Sequence, residues 1–302
     1  MTLLEPTPQT STTSRPNVGL LGLGPMGLAL ARTLAASGAR VLAWNRTPGR
    51  ADGLDGIDEA ESVAAALHDV DVVIVSLRDH EAFTSALASV DASALAGAVV
   101  VNTSSSTPDQ ARRTAEWAAE RGIRYLSSAI MVQTTVIGTE RSLLLFSGGR
   151  AEFDAVATRL ESLGRLEYVG DDHGAASLLD VGMLDVFFAG MTSFLHAAAM
   201  LTANGRTASE FVPWAAAMLD ALGVTFAGLA RDVDAGRYPG DEDRLSMELA
   251  ALGHIVDTSD EIGLDGGVAR ATRDLVARAV GAGFGADSFS RVVETIRTPP
   301  ID

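Results

Sequence analysis

The sequence predicts an α/β sheet domain followed by an all-helical domain, and three observations lead there. A short apolar run, Asn17 to Leu23, passes through Gly22-Leu23-Gly24-Pro25-Met26-Gly27 into a stretch with Leu28, Ala31, Leu34 and Ala35 at helical spacing. Strand-like and helical runs then alternate as far as Gly170, the order that builds a largely parallel sheet covered on both faces. After Gly174 the strand signals stop, and the remainder reads as helix.

A length of 302 residues suits roughly two domains with a sizeable core, so no disulfide or metal staple is required. The polar opening "MTLLEPTPQTSTTSRP" reads as a disordered tail over residues 1–16 and lacks the basic and apolar regions of a signal peptide. The expected boundaries are 17–172 for the sheet domain, 173–204 for a connecting helix and 205–302 for a helical domain. With no cysteine, thiolate nucleophiles, thiolate zinc sites and disulfides are excluded. His173, His196 and His254 lack ligand spacing, so no metal site is expected. A net charge of −16 argues against a nucleic-acid partner. The best membrane candidate, Gly182 to Ala203, is interrupted by Asp185, Thr192, Ser193 and His196, so a helix buried by other helices fits better. With no targeting signal, the cytoplasm is the default location.

The glycine turn has a specific physical logic. Gly22 permits the tight turn, Gly24 lets the backbone approach a pyrophosphate, and Gly27 allows close helix–strand packing. Leu23, Pro25 and Met26 complete the loop, and the helix N-terminus behind it offers N–H groups to an anion. Together these features predict a dinucleotide-binding Rossmann domain. An NAD site usually offers an acid at the end of the second strand, here Ala39 to Trp44. This chain offers Asn45, Arg46 and Thr47 instead, with Arg50 close behind. A guanidinium suits a 2′-phosphate, so the cofactor expected is NADPH.

Further strands are expected at Asp71 to Leu77, Gly97 to Asn102, Ile123 to Ser128, Ser142 to Gly148 and Leu166 to Gly170, with helices at Pro108 to Glu120 and Ala151 to Leu163 among the connections. Ligands in such sheets bind beyond the carboxyl ends of the strands. That rule adds Leu77, Arg78, Asn102, Thr103 and Ser104 to the expected cofactor contacts. Gly174 to Asn204 reads as one helix of about thirty residues, about 45 Å long. It is apolar on most faces and needs other helices around it, some of them from a second subunit. Helical stretches follow at Ser209 to Ala235, Asp241 to Ile262, Gly267 to Gly281 and Ser288 to Arg297.

Within the apolar stretch "SLLDVGMLDVFFAG" stand Asp180 and Asp185. A carboxyl in apolar surroundings has a raised pKa, so it can donate a proton near neutral pH. Asp180 is the expected catalytic group, with a solvated helix edge as the bland alternative. Asp185 suits an ion pair across an interface better.

The "GLGPMG" turn, the "VNTSSST" segment and the long helix resemble the β-hydroxyacid dehydrogenase superfamily, and within it the imine reductases and reductive aminases. The resemblance covers about Asn17 to Arg297. It implies an N-terminal Rossmann domain, a long interdomain helix and an all-α C-terminal domain that intertwines in a homodimer, with the active site formed between subunits. It further implies NADPH-dependent reduction of imines or iminium ions to amines, extending to reductive amination of carbonyls. The hydroxyacid enzymes place a catalytic Lys where this chain has Asp180, and an Asn one turn on, which falls here on Met183 and Leu184. Their substrate-loop Ser falls near Met131, and the loop continues through Gln133 to Thr135 where the family is richer in proline. Imine reductases show the Lys exchange, usually to Asp or Tyr. Asp180 then acts either as proton donor or as a carboxylate that stabilises an iminium.

In the reductive aminases an Asp eight residues upstream binds the amine or iminium. Asp172 has that spacing, and also sits where a helix cap belongs. Those enzymes place an Asn where this chain aligns Ser105, which weakens the expectation of amine–ketone condensation. Met131, Met183, Phe187 and Trp214 are candidates to line an apolar substrate pocket, with plain core as the alternative for each. Two other readings stand beside this one: a hydroxyacid dehydrogenase of the parent superfamily, and an NADPH-binding protein without chemistry.

Overall fold

The computed structural model describes residues 17–298; the tail expected over residues 1–16 lies outside the described residues. The first part alternates β1 (Asn17–Leu21), α1 (Pro25–Ala36), β2 (Arg40–Trp44), β3 (Ile57–Glu59), α2 (Val63–Ala66), β4 (Val72–Val75), α3 (His80–Leu87), β5 (Val99–Asn102), α4 (Pro108–Ala119), β6 (Tyr125–Ile130), β7 (Leu143–Gly148), α5 (Arg150–Leu160) and β8 (Arg165–Tyr168). The strands form one sheet in the order β3-β2-β1-β4-β5-β6-β7-β8. Every pairing is parallel except β6 with β7. The exception has a local cause. Residues 131–142 join β6 to β7 with only the 3₁₀ turn Thr134–Val136 among them, and no crossover helix carries the chain back for a parallel return.

Strand alternation divides the core between the two faces of the sheet. Val18, Leu20, Val72, Ile74, Val99 and Val101 pack on one face with Leu30, Ala31 and Leu34 of α1. Leu21, Val73, Val75 and Val100 pack on the other with Phe83 of α3 and Ala115 and Ala118 of α4. The strand ends differ by one or two residues from those read from hydropathy. β1 stops at Leu21 because Gly22 leaves the extended region at φ +103°. β4 covers only Val72–Val75, and β6 runs on to Ile130.

The second part is helical: α6 (Ala175–Ala203), α7 (Ala208–Ala235), α8 (Leu245–Glu261), α9 (Gly267–Ala279) and α10 (Val292–Arg297). A capping box of Thr207 and Glu210 starts α7, and Gly236 in the left-handed region ends it. Leu245, Val276, Ala279 and Val292 form the buried centre of α8, α9 and α10. The Asp232 carboxylate accepts hydrogen bonds from Ser288 and Ser290 and so holds the last segment on α7. The chain divides into two compact units at Asp185/Val186, inside α6. The first ten or so residues of α6 thus belong with the sheet.

One expectation about α6 fails within the single chain. The helix is not buried by other helices. Leu178, Phe187, Phe188 and Leu195 are about half exposed, and α7 exposes Trp214, Met218 and Val224 still more. By length and composition both helices are apolar enough to cross a membrane.

The glycine turn seats α1 on the sheet. A Cβ on Gly27 would stand 1.9 Å from the Gly22 carbonyl oxygen, and one on Gly22 would stand 2.2 Å from the Ser76 carbonyl oxygen. A Cβ on Gly24 would meet nothing within 4 Å. Gly22→Ala and Gly27→Ala are therefore expected to destabilise the fold, each by roughly 1–3 kcal/mol or more. Gly24→Ala should melt within a degree or two of the unchanged protein. Thermal unfolding of the three variants tests this ordering.

Candidate active site

The ends of β1, β4 and β5 converge on one crevice because the strand order reverses direction between β1 and β4. The first contribution is the N-terminus of α1. Gly24 is its N-cap, no side chain caps it, and Pro25 occupies the first turn. The Met26 and Gly27 N–H groups therefore point outward with no intrahelical acceptor. With open space at the Gly24 Cα, the turn is shaped for close approach of an anion.

Asn45 shapes this turn from behind. Its Oδ1 accepts from the Leu23 N–H at 3.0 Å, and its Nδ2 donates to the Thr47 carbonyl at 2.8 Å. Both ends of the amide thus bond to the protein. The loop after β2 is fixed further by Glu59 of β3, whose carboxylate accepts from the Gly49 and Ala51 N–H groups at 2.8 and 3.0 Å. Arg46 and Arg50 stand exposed on this loop, and among the described residues neither forms an ion pair. Two free guanidinium groups, and no carboxylate at the end of β2, fit a dinucleotide that bears a 2′-phosphate.

A crevice of about 200 Å³ lies beside the turn, lined by Met26, Ser76, Leu77, Arg78, the run Thr103 to Ser106, Ser128 to Ile130, Ser177 and Asp180. Its serine-rich wall is held rigidly. Asn102 is buried, donates to the Tyr125 hydroxyl at 3.1 Å and accepts from the Ser104 N–H at 3.1 Å. The Ser104 hydroxyl accepts from the Leu77 N–H, and the Thr103 hydroxyl donates to the Val75 carbonyl. Asn102 is thus a shaping residue, whereas Thr103 and Ser104 face the crevice. Arg78 is largely exposed at its rim and pairs with Asp79 at 2.6 Å.

Asp180 reaches the same crevice from the first turns of α6, half-buried, and burial raises its carboxyl above the ordinary range. One turn earlier the Ser177 hydroxyl lies 3.2 Å from that of Ser106. Asp172 has a different setting. It is not among the crevice-lining residues, and both its oxygens are bound by Arg112, at 2.9 and 2.7 Å. The guanidinium, with the Gly174 N–H, holds the Asp172 carboxyl down at about 2. Met131 packs beside Ala129, Leu145 and Ala176 rather than lining the crevice. Met183, Phe187 and Trp214 are exposed on their helices and do not line it either. Phe187 and Trp214 belong to the second compact unit.

Sequence reasoning missed Glu59 and Arg112. Glu59 lies on a three-residue strand too short to announce itself. For Arg112 only the ion pair with Asp109, three residues back at 2.7 Å, is visible in sequence spacing; the partner sixty residues on is not.

Residues 17–170 match the family model of the NAD binding domain of 6-phosphogluconate dehydrogenase. Residues 172–298 match that of the C-terminal domain of NADPH-dependent reductive aminase-like proteins. The chain is 30% identical to the NADPH-dependent reductive aminase of Aspergillus oryzae over 284 residues, 92% of this chain and 96% of that protein. A Streptomyces aurantiacus imine reductase of known structure is 37% identical, superposes with a TM-score of 0.88, and is covered over 99% of its length by 93% of this chain. A reductive aminase from Aspergillus terreus, solved with NADPH and ethyl levulinate, is 34% identical with a TM-score of 0.89, across 94% of this chain and all of that one. An α1 N-terminus open to a phosphate, a β2 loop bearing free arginines and an acid on α6 where the superfamily has a lysine all accord with these matches. The chain belongs to the imine reductase and reductive aminase family, within the superfamily of 6-phosphogluconate and β-hydroxyacid dehydrogenases.

Proposed function

We propose that the protein reduces imines and iminium ions to amines with NADPH, and that Asp180 is the group that manages charge on the substrate nitrogen. The observation that supports this most is the half-buried Asp180 carboxyl in the crevice beside the α1 N-terminus. Bound NADPH supplies the hydride. The chain's own residues do the rest. The Met26 and Gly27 N–H groups and Arg46 and Arg50 bind and orient the phosphates. Thr103 and Ser104 hold the crevice wall, and Asp180 gives a proton to the imine nitrogen through its carboxyl oxygen. With an iminium already charged, the same group as a carboxylate stabilises the cation. The sequence contains no lysine at all, so the base of the hydroxyacid enzymes is absent from the whole chain and not merely displaced. With Ser105 where the reductive aminases place Asn, reduction of a supplied imine is the principal activity and condensation of amine with carbonyl the weaker one.

We further propose that it works as a homodimer in the cytoplasm. The exposed apolar faces of α6 and α7 need a cover. Asp180 and Asp185 on α6 and Asp220 on α7 lie within those stretches, which suits a protein partner better than lipid. A second copy supplies matching apolar helices. Light scattering should return about twice the 31.3 kDa chain mass at working concentrations; an active monomer would contradict this.

The cofactor preference follows from the β2 loop. NADPH should be used far better than NADH, and Arg46→Ala should raise the KM for NADPH while leaving that for NADH nearly unchanged. Gly24→Ala should weaken both cofactors alike, because the pyrophosphate is common to them. Equal use of the two cofactors by the unmodified protein would refute the preference.

Asp180→Asn keeps the shape and removes the acid. With a neutral cyclic imine, kcat should fall about a hundred- to ten-thousand-fold, with NADPH affinity unchanged. Since burial raises the Asp180 pKa, the working acid should persist toward neutral pH, and kcat for the neutral imine should fall as pH rises through that value. A permanently charged N-alkylated iminium separates the two roles. A pure proton donor leaves its reduction by Asp180→Asn near normal, whereas a cation-stabilising carboxylate slows both substrates. Full activity of a folded, NADPH-binding Asp180→Asn protein on the neutral imine would remove Asp180 from the mechanism.

A further inference from the structure

We infer that Arg112 is a positioning residue for Asp180: it clasps Asp172 at the head of α6 against α4, and thereby sets where the Asp180 carboxyl stands in the crevice. The inference rests on the role given to Asp180 above. The clasp is a two-pronged one. Arg112 Nε donates to Asp172 Oδ1 at 2.9 Å and Nη2 to Oδ2 at 2.7 Å, while Nη1 donates to Asp109 Oδ1 at 2.7 Å. Asp172 Oδ1 also accepts the Gly174 N–H at 2.9 Å. The guanidinium lies so close over Gly174 that a Cβ there would stand 2.9 Å from its central carbon. Forked, charge-assisted pairs of this kind fix direction as well as distance.

Both ends of the clasp are rigidly joined to the crevice. On one side, α4 starts at Pro108 behind a capping box of Thr107 and Gln110, directly after the Ser104 to Ser106 wall. On the other, Asp172 precedes α6 by three residues, and Asp180 lies two turns further along that helix. The Ser106–Ser177 contact falls between them on the same side. A tilt of the head of α6 would therefore be passed to Asp180 directly, because a helix transmits it without slack. The Ser147 hydroxyl provides a separate anchor, donating to the His173 carbonyl at 3.0 Å and accepting from the Ala176 N–H at 3.2 Å. The helix thus keeps its start when the clasp is lost, and what changes is its aim.

This arrangement gives Asp172 a use other than contact with the amine. With both oxygens engaged and the residue outside the crevice lining, it serves as an anchor. The only other charged residue lining the crevice among those described is Arg78, which is paired with Asp79, so the setting of Asp180 depends chiefly on its depth.

The test compares Arg112→Gln, Asp172→Asn and the double variant, each with NADPH and a neutral cyclic imine across pH, and in a second assay with NADPH, a ketone and a supplied amine. Each single change should lower kcat about tenfold, with NADPH affinity and the KM for a supplied amine unchanged. The double variant should be no worse than either single one, since each breaks the same link. The alkaline limb of kcat should move to lower pH, because a misplaced Asp180 gains solvent and its carboxyl returns toward the ordinary range. A purely structural loss would not move that limb. Gly174→Ala provides a second route: it displaces the guanidinium without altering a charge, and should reproduce the fall in kcat and the shifted limb. Wild-type kcat and limb in Gly174→Ala or Arg112→Gln would overturn the inference. So would a raised amine KM in Asp172→Asn alone, which would place Asp172 on the substrate. If Asp180→Asn is harmless, the reading of Asp180 itself fails and the clasp with it; if Asp180→Asn is damaging but Arg112→Gln is not, the clasp alone fails.

Discussion

The contact between the Gly27 α-carbon and the Gly22 carbonyl is the constraint on which the site depends. It exists only because Gly27 has no side chain in the way, and it brings the first turn of α1 hard against the end of β1. From that follow the exposure of the Met26 and Gly27 N–H groups, the open approach at Gly24 and the position of Met26 on the crevice wall. Every group proposed to bind phosphate is backbone or a flexible cation, so the loop has no side chain that must be correctly placed. Specificity is instead moved to the next loop. There Asn45 and Glu59 occupy themselves with backbone groups and leave the arginines free.

Against this fixed half stands an acid on an apolar helix. In water a carboxyl is mostly ionised at neutral pH; half-buried on α6, Asp180 has its charged form disfavoured. The same helix exposes Leu178, Leu179 and Val181, which the proposed dimer would cover. Such a cover would deepen the burial of Asp180, so the proposed assembly and the proposed proton donation favour each other. Asp172, eight residues earlier, has the opposite environment: solvent, a guanidinium and a backbone N–H all favour its charge. Two aspartates on one segment are thereby assigned different chemistry by their surroundings alone.

The legible part of the molecule was that in which local pattern and tertiary environment agree. The β1–turn–α1 unit could be read because each glycine answers a steric demand within six residues. The half-buried place of Asp180 in the crevice accords with its run of Leu, Val, Met and Phe neighbours. What escaped notice depends on partners distant in sequence. Asn45 looked like a ligand contact and bonds mainly to backbone, since nothing local reveals an amide turned inward on the Leu23 N–H. β3 and α2 are too short for periodicity to show, and Glu59 went with them. Met131 was placed near the substrate by resemblance, yet its strand end turns it toward Leu145 and Ala176. Phe187 and Trp214 were candidates for a pocket or for plain core, and within the single chain both are exposed on their helices.

The division of the chain inside α6 gives this arrangement its use. Asp180 lies on the sheet side of the Asp185/Val186 boundary, with the clasp, the serine wall and the phosphate-binding turn all in the same compact unit. The proposed acid, the serine wall and the glycine turn are therefore held within one unit. Phe187, Trp214 and the exposed apolar residues of α6 and α7 from Val186 onward belong to the second unit. Substitutions there change apolar shape without disturbing the acid, since no hydrogen bond of Asn102, Ser104, Ser106 or Arg112 among the described residues reaches beyond Ser177. A protein built this way separates the demand for exact proton placement from the demand for a variable apolar surface. It meets the first with forked ion pairs and hydroxyl contacts, and the second with side chains that have no polar partner to lose.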